Sequence, residues 1–180
     1  MNLLYISGGP RKNGNTEYLL DISLEITGGE LIRLSDYNIK YCNSCWVCQK
    51  TGICPVKDDM NEKLIPMILE SDGIVLGTPV YFNNVSAQLK TFIDRTWCIK
   101  GGLRNKIGGA VVVGCKYGAE SAITAINAFF LKHEMIVANR GISGIGYEKG
   151  DIGLDVEAME AAKRLGYRIL ELLNKIKNDV

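Results

Sequence analysis

The sequence has almost no surplus charge and no long apolar run, and each shortage excludes a class of protein. Its 21 Lys and Arg residues against 20 Asp and Glu leave a net charge of +1. The chain therefore lacks the basic surface that nucleic-acid binding requires. Its most apolar stretch, residues 73–89, is interrupted by Pro79 and by three amide side chains. We therefore expect neither a membrane-spanning helix nor nucleic acid as a partner.

The amino terminus and the shortage of histidine argue against two further classes, exported proteins and proteins with a histidine-dependent catalytic or metal site. Residues 1–5 lack the basic segment and the cleavage site of a signal peptide, so we expect a cytoplasmic protein. His133 is the only histidine of the 180 residues. It falls in a predicted helix, away from the carboxyl ends of the predicted strands where a ligand would bind. We expect a surface or half-buried position for it. A Ser–His–Asp triad or a histidine-ligated metal is therefore not expected.

Cysteine is scarce overall but concentrated in one segment. The six cysteines make up about 3% of the chain, far too few for a disulfide scaffold. Within one window of 13 residues, even spreading predicts about 0.4 cysteines. That window contains Cys42, Cys45, Cys48 and Cys54. Cys98 and Cys115 stand alone and are expected to be ordinary small apolar residues, although Cys115 follows a predicted strand, where a ligand contact is also open to it.

Short apolar runs alternate with amphipathic stretches along the whole chain. Five strands separated by helices predict a parallel sheet covered on both faces. This pattern suits a flavodoxin-like three-layer α/β sandwich with strand order 2-1-3-4-5. We expect one domain over residues 1–180, with a cysteine-rich loop at 35–58 and a mobile loop at 141–153. The predicted strands are 3–7, 30–34, 74–78, 110–114 and 135–139. The predicted helices are 16–26, 59–70 (opened by a capping box at Asp59), 86–97, 119–133 and 156–177.

The segment between the first strand and the first helix is typical of a phosphate-binding loop. Gly9 and Gly14 have the spacing of a P-loop, but Asn15 stands where that motif requires lysine, which argues against a nucleoside triphosphatase. The spacing also fails to match the dinucleotide fingerprint. A helix amino terminus with free N–H groups suits one terminal phosphate without Mg²⁺, as in FMN. A glycine-rich turn without a ligand is the alternative. The residues that we expect at the phosphate are Gly9, Arg11, Asn13, Asn15 and Thr16.

Two further segments at the same predicted sheet edge suit a flat ring. Aromatic and amide side chains follow the third strand, and a glycine and a tyrosine follow the fourth. Because carboxyl ends of neighbouring parallel strands meet at one edge, these segments and the phosphate loop are expected to line one site. Each segment alone is also compatible with an ordinary strand-end turn. The expected ring contacts are Pro79, Val80, Tyr81, Phe82, Asn83, Gly114 and Tyr117.

The cysteine spacing is C-x2-C-x2-C-x5-C, with Pro55 directly after the last cysteine. It is close to the bacterial ferredoxin run C-x2-C-x2-C-x3-C-P, whose thiolates bind a 4Fe–4S cluster. The longer last gap contains Gly52 and would permit Cys54 to bind the same cluster. Structural zinc is an alternative, although zinc sites usually use two separated cysteine pairs. A loop without metal is a third reading, and in each case we expect the loop beside the predicted flavin face.

Taken together, these motifs resemble the iron–sulfur flavoproteins, a branch of the NAD(P)H-dependent FMN reductases. The resemblance covers most of the chain and is strongest over residues 1–118. It implies a flavodoxin-like fold, FMN with its phosphate at residues 8–16 and its ring near 79–83 and 114–117, and a 4Fe–4S cluster on the four clustered cysteines. It also implies a homodimer or homotetramer. The chain departs from the family pattern at Gly9, where relatives usually carry serine, so one phosphate hydroxyl is missing.

The resemblance implies an electron-transfer oxidoreductase that uses FMN and the cluster, with the chemistry carried by the cofactors rather than by a catalytic side chain. We expect a ferredoxin-like partner or NAD(P)H as the electron donor, and the acceptor is open. One alternative is an NAD(P)H-dependent flavin or quinone reductase in which the cysteine loop is only structural. Another is a zinc-stabilised binding module without enzymatic activity.

Overall fold

A computed structural model describes residues 1–178 of the chain as one parallel sheet with helices on both faces. The last two residues of the predicted domain, 179 and 180, lie outside the described residues. The strands of the sheet are β1 (Leu3–Ser7), β2 (Glu30–Arg33), β3 (Gly73–Pro79), β4 (Ile107–Gly114), β5 (Ile136–Val137) and β6 (Ile142–Ile145). The helices are α1 (Asn15–Thr27), α2 (Val47–Thr51), α3 (Ile65–Glu70), α4 (Ala87–Arg95), α5 (Ala119–Lys132) and α6 (Val156–Asn178).

The strand order is β2-β1-β3-β4-β5, which confirms the predicted flavodoxin-like topology. Every named strand pair is parallel, so all carboxyl ends point to one edge. The register aligns Ser7 with Gly77 of β3 and Gly114 with Ile145 of β6. The loops that follow these strands therefore meet at that edge.

Two apolar cores, one on each face of the sheet, hold the three layers together. One core lies between the sheet and α3, α4 and α5 and includes Phe92 and Phe130, both fully buried. The other lies between the sheet and the pair α1 and α6 and includes Leu20 and Leu165. β4 is buried along its whole length, as the continuous apolar run at 110–114 predicts, and it begins three residues before the predicted strand, at Ile107. Within residues 1–178, no helix is both long and apolar enough to cross a bilayer.

The outer edge of the sheet differs from the prediction. The expected fifth strand shortens to β5, which pairs only with the beginning of β4. The expected mobile loop at 141–153 instead contains β6, which pairs with the end of β4, and a 3₁₀ turn at Asp151–Leu154. The chain leaves the sheet after Val137 and returns at Ile142, so two short segments share one strand position.

The predicted capping box at Asp59 is also wrong. Asp59 has helical backbone angles, and its carboxylate accepts hydrogen bonds from the Asn38 N–H at 2.7 Å and pairs with Lys63 at 2.7 Å. These two partners hold the pKa of Asp59 below its usual value. The helix opens with a π-helical turn at Met60–Leu64 before α3 begins. The carboxylate cannot cap the helix because it already holds the preceding loop.

Candidate functional site

A cavity of about 140 Å³ lies at the carboxyl edge of the sheet, between the loops that follow β1, β3, β4 and β6. We call it the flavin-side cavity. The structure brings together eight of the residues expected there, and these are Gly9, Arg11, Asn15, Thr16, Pro79, Val80, Tyr81 and Gly114. Cys115 also lines the cavity, at the position where a ligand contact was left open. Three separate segments of the sequence therefore converge on one site.

The amino terminus of α1 opens onto this cavity. Gly14 occupies the cap position, no side chain caps the helix, and the first-turn N–H groups are left for an external acceptor. Thr16, in the same turn, is buried and lines the cavity. Such an end carries a partial positive charge and favours an anion.

The buried carboxylate of Glu17 fixes the conformation of the phosphate loop. Glu17 accepts hydrogen bonds from the Asn13 N–H at 2.7 Å and from Arg33 Nε at 2.9 Å. The first bond holds Asn13 in a left-handed conformation with φ of 53°. The second offsets the negative charge close to the anion-binding helix end. Asn13 is therefore a residue that shapes the loop, and its side chain does not line the cavity.

Asn15 holds a second loop over the cavity. Its amide donates to the Glu148 carbonyl at 2.8 Å and accepts from the Gly150 N–H at 2.8 Å. This loop brings Gly146 and Tyr147 into the cavity wall, two contacts that the sequence analysis missed. The signal in the sequence is the glycine-rich stretch after residue 141, which the sequence analysis predicts to be a mobile loop. Pro10 and Gly14, which belong to the segment 8–16 expected at the phosphate, also line the wall, and so does Val113, which was not predicted.

Three more expected ring contacts lie outside the lining. Phe82 and Asn83 form the tip of a tight turn closed by hydrogen bonds between Tyr81 and Asn84, and both have positive φ. Phe82 is fully exposed at 104% of its reference area. Tyr117 is also exposed. These side chains stand around the rim of the cavity and not in its wall.

The cysteine loop lies apart from this cavity, which corrects the expected position beside the flavin face. Among the described residues, none of the four clustered cysteines lines the flavin-side cavity. Cys42 and Cys45 are exposed, while Cys48 and Cys54 are partly buried. Within residues 1–178, no three Cys, His, Asp or Glu side chains already stand in a metal-binding arrangement. Burial and, after it, the three other thiols of the motif raise the pKa of Cys48.

A buried ion pair clamps the base of the cysteine loop. Arg95, at the end of α4, contacts both carboxylate oxygens of Asp58, at 2.5 and 3.0 Å, and both side chains are fully buried. Arg95 also donates to the Lys40 carbonyl at 2.6 Å, and Asp58 accepts from the Lys40 N–H at 2.9 Å. Asn61 adds bonds to the carbonyls of Cys54 and Val56, at 2.8 and 2.6 Å. We call Arg95, Asp58 and Asn61 the loop clamp.

The loop clamp also places a cation close to one thiol. Burial opposes the charge of Arg95, yet its pKa is raised, because Asp58 and then the neighbouring Cys54 favour the charged form. Burial likewise opposes the charge of Asp58, but hydrogen bonds from Arg95 and Lys40 hold its pKa below the usual value. Sequence analysis missed this pair, which joins residues 37 positions apart.

His133 is buried, whereas the sequence predicts a surface or half-buried position. It is only 3% exposed, and Nε2 lies 3.0 Å from Thr96 Oγ1. Its ring packs against Phe129 at 4.8 Å between centroids. Burial lowers its pKa to about 4, so the ring is neutral at pH 7.

Comparisons with known proteins agree with this geometry. The family model described as NADPH-dependent FMN reductase matches residues 1–150. An iron–sulfur flavoprotein of Methanocaldococcus jannaschii is 42% identical, over 98% of this chain and 100% of its own. An iron–sulfur flavoprotein of Methanosarcina thermophila is 32% identical, over 97% and 98% of the two chains.

Solved structures share the fold. The Trp repressor binding protein from Bacillus subtilis has a TM-score of 0.72 at 25% identity, over 91% of this chain and 97% of its own. A flavodoxin, WrbA-like protein from Agrobacterium tumefaciens has a TM-score of 0.69 at 15% identity, over 97% of each chain. Fold, cavity and family match define the chain as an FMN-dependent oxidoreductase with a flavodoxin-like fold. Within that class it belongs to the iron–sulfur flavoprotein family, which confirms the resemblance read from its motifs.

Proposed function

We propose that the chain transfers electrons by means of FMN in the flavin-side cavity and a 4Fe–4S cluster on Cys42, Cys45, Cys48 and Cys54. The observation that carries the flavin half is the uncapped end of α1, which opens onto the cavity beside Arg11 and Thr16. Those N–H groups, the hydroxyl and the guanidinium suit a phosphate dianion without Mg²⁺. Asn15 serves this site by holding the Glu148–Gly150 turn over it.

The flavin ring would lie against the backbone of Pro79, Val80 and Gly114, where small or flat groups form the wall. Tyr81 lines the same wall and is half exposed, so its ring can cover the outer face. Phe82, Asn83 and Tyr117 would touch the ring from the rim. Asn13 contributes through its backbone conformation, which Glu17 fixes.

The cysteine loop fits a cluster in the chemistry of its donors. Four thiols on one loop supply the number and type of ligands that a 4Fe–4S cluster takes. Left-handed residues at Ser44, Trp46 and Gly52 turn the loop back repeatedly, as backbones around iron–sulfur clusters do. The exposed thiols of Cys42 and Cys45 would move inward toward Cys48, while the loop clamp keeps the base in place.

When bound, FMN exchanges one or two electrons and a 4Fe–4S cluster exchanges one, so the pair converts between two-electron and one-electron chemistry. The chain's own residues bind and orient these groups. A ferredoxin-like protein or NAD(P)H as donor, and assembly into a homodimer or homotetramer, belong to the same proposal and are supported by the family resemblance.

Anaerobic purification with iron, sulfide and flavin analysis tests both halves. We expect about one FMN, four iron and four sulfide per chain. Cys48→Ser should lose most of the iron and keep the FMN, whereas Cys115→Ser, outside the cysteine loop, should keep its iron. Protein that binds zinc and no iron would overturn the cluster, and protein that releases no flavin on denaturation would overturn the flavin assignment.

A second candidate is an NAD(P)H-dependent FMN or quinone reductase without a functional cluster. It is favoured by one observation, that the lining of the flavin-side cavity includes none of the four clustered cysteines. NAD(P)H oxidation undiminished in a variant with all four cysteines replaced by serine would favour this candidate. Loss of turnover with flavin retained would favour electron transfer through the cluster.

A further inference from the structure

A second cavity, of about 530 Å³, lies between the cysteine loop and the carboxyl-terminal ends of α4 and α5. We call it the tryptophan cavity. It shares no lining residue with the flavin-side cavity. Its volume is within the range of small-molecule sites, about 300–1,000 Å³. Size alone assigns no ligand, so its character depends on the side chains that line it.

Both tryptophans of the chain line this cavity. Trp46, from the cysteine loop, and Trp97, from the end of α4, stand nearly perpendicular at 87° with ring centroids 6.4 Å apart. They are 55% and 39% exposed, so much of their ring surface is free to touch a ligand. Phe129 and Ile93 add an apolar floor. These rings suit a flat aromatic molecule.

The charged groups at the cavity are mainly basic. The Nζ atoms of Lys100 and Lys132 lie 5.2 and 5.6 Å from the ring centroid of Trp97. The acidic residue of the lining, Asp94, is already paired with Lys90 at 2.5 Å. Two ammonium groups are therefore left to attract a negative charge beside the aromatic rings.

A buried ring nitrogen adds a polar contact point. His133 lines the cavity, and its Nδ1 is buried with no hydrogen-bond partner among residues 1–178. Nε2 is already engaged by Thr96 at 3.0 Å. Thr96 Oγ1 donates to the Ile93 carbonyl at 2.7 Å, so Nε2 donates to Thr96 and Nδ1 of the neutral ring is an acceptor. A buried acceptor without a partner costs free energy, and a ligand hydroxyl would satisfy it.

We propose that the tryptophan cavity binds a small planar aromatic anion. Its rings would contact Trp46 and Trp97, its acidic group would lie between Lys100 and Lys132, and a hydroxyl on its edge would donate to His133. Cys42 and Cys48 also line the cavity, so such a ligand would touch the loop proposed to hold the cluster. The proposal concerns binding alone and does not require the cluster or the FMN assignment to be correct.

The test titrates the full-length protein, as purified and supplemented with FMN, with 6-hydroxynaphthalene-2-sulfonate, which is planar and carries one sulfonate and one hydroxyl. Because both tryptophans line this cavity, intrinsic fluorescence should be quenched with saturation, and equilibrium dialysis should find one molecule per chain. Removing two charges, with Lys100→Gln and Lys132→Gln together, should weaken binding about tenfold or more. Lys100→Arg with Lys132→Arg should retain it. Lys163→Gln, an exposed lysine of α6, is the matched control and should leave affinity unchanged.

Three results would overturn the proposal. The first is an absence of saturable quenching. The second is equal affinity in the wild type and the double glutamine variant, which would mean that the lysines attract no anion. The third is binding to cluster-free protein only, which would mean that the cavity is space belonging to the cluster. Circular dichroism of each variant checks that it is folded.

Discussion

Arg95 is the residue on which the base of the cysteine loop depends. Its fully buried guanidinium satisfies one carboxylate and two loop carbonyls, those of Lys40 and Val56, although its Nε has no partner among the described residues. Burying two charges is costly, and the pair offsets that cost only while both members are present.

Removing one member of the pair should therefore destabilise the protein strongly. We expect Arg95→Gln to lower the free energy of unfolding by about 3–5 kcal/mol, because Asp58 would remain buried and unpaired. Urea unfolding measures the change. Arg104→Gln breaks an exposed pair with Glu134 and serves as the control, for which we expect little change. A similar small loss in both variants would contradict the clamp.

Replacing Gly9 with serine should strengthen FMN binding. A Cβ added there meets Ser7, Pro79 and Thr16 at 3.5–3.9 Å, which is ordinary contact. Gly9→Ser should fit and add a hydroxyl donor at the proposed phosphate, tightening FMN binding about tenfold. Quenching of FMN fluorescence gives the affinity. Gly9→Ala adds only the methyl group, so an equal effect from alanine and serine would show that the hydroxyl does not reach the phosphate.

At the scale of elements, the loop after β4 is pressed against the turn after β3. Gly118, the residue before α5, has φ of 88°, and a Cβ there would stand 2.5 Å from Asn83 Cα. Both the conformation and the space therefore require glycine.

We expect Gly118→Ala to displace the turn and weaken FMN binding, in addition to a stability loss of about 1 kcal/mol or more. Gly28→Ala is the matched control, since Gly28 also has positive φ (69°) but nothing within 4 Å of the added Cβ. Thermal unfolding and FMN titration of both variants separate backbone strain from the steric clash. Unchanged FMN affinity in Gly118→Ala would argue against a ring site at this rim.

Elements buried on both faces could be predicted from the sequence, and those fixed by distant partners could not. β1 and β4 are continuous apolar runs, and the structure buries every residue in them. β6 has the sequence Ile-Ser-Gly-Ile, and its exposure alternates, so its glycine masked a short strand. Asn15 suited a phosphate by its position, but its amide is committed to a loop 133 residues away. No local pattern in the sequence indicates such a partner.

The same reasoning applies to the cysteine loop. The spacing of its four cysteines could be recognised from the sequence because they are close neighbours in the chain. The position of the loop in the fold could not be predicted, because its contacts Arg95 and Trp97 come from a helix end 40 or more residues after the loop's centre. The strand that precedes the loop ends at the flavin edge, but the loop runs on to the ends of α4 and α5.

At the scale of the whole molecule, buried His133 makes stability depend on pH. Its pKa is about 4 in the folded protein and about 6.5 when unfolded. The unfolded chain therefore binds this proton first as the pH falls. The stability from the neutral ring is complete above pH 6.5 and is lost progressively toward pH 4, to a limit of about 3 kcal/mol.

Urea unfolding at pH 7.5 and at pH 4.5 measures this loss. His133→Gln removes the titrating group, so its stability should change less between the two pH values than that of the wild type. Because other carboxylates titrate in both proteins, the difference between the two pH dependences is the relevant quantity. Equal pH dependence would mean that His133 is protonated as readily in the folded state as in the unfolded state.

The outer strand position of the sheet is divided between β5 and β6, and we expect these two segments to unfold locally and separately. β5 is joined to β4 by two register pairs and β6 by four, and only β6 leads into the flavin-side cavity at Gly146. Two separately held segments can fray separately. Adding FMN should therefore slow amide hydrogen exchange in Ile142–Ile145 and leave Ile136–Val137 unchanged, as peptide-resolved mass spectrometry can measure. One edge of the sheet would thus contain two segments that unfold independently, and only β6 would be stabilised by FMN.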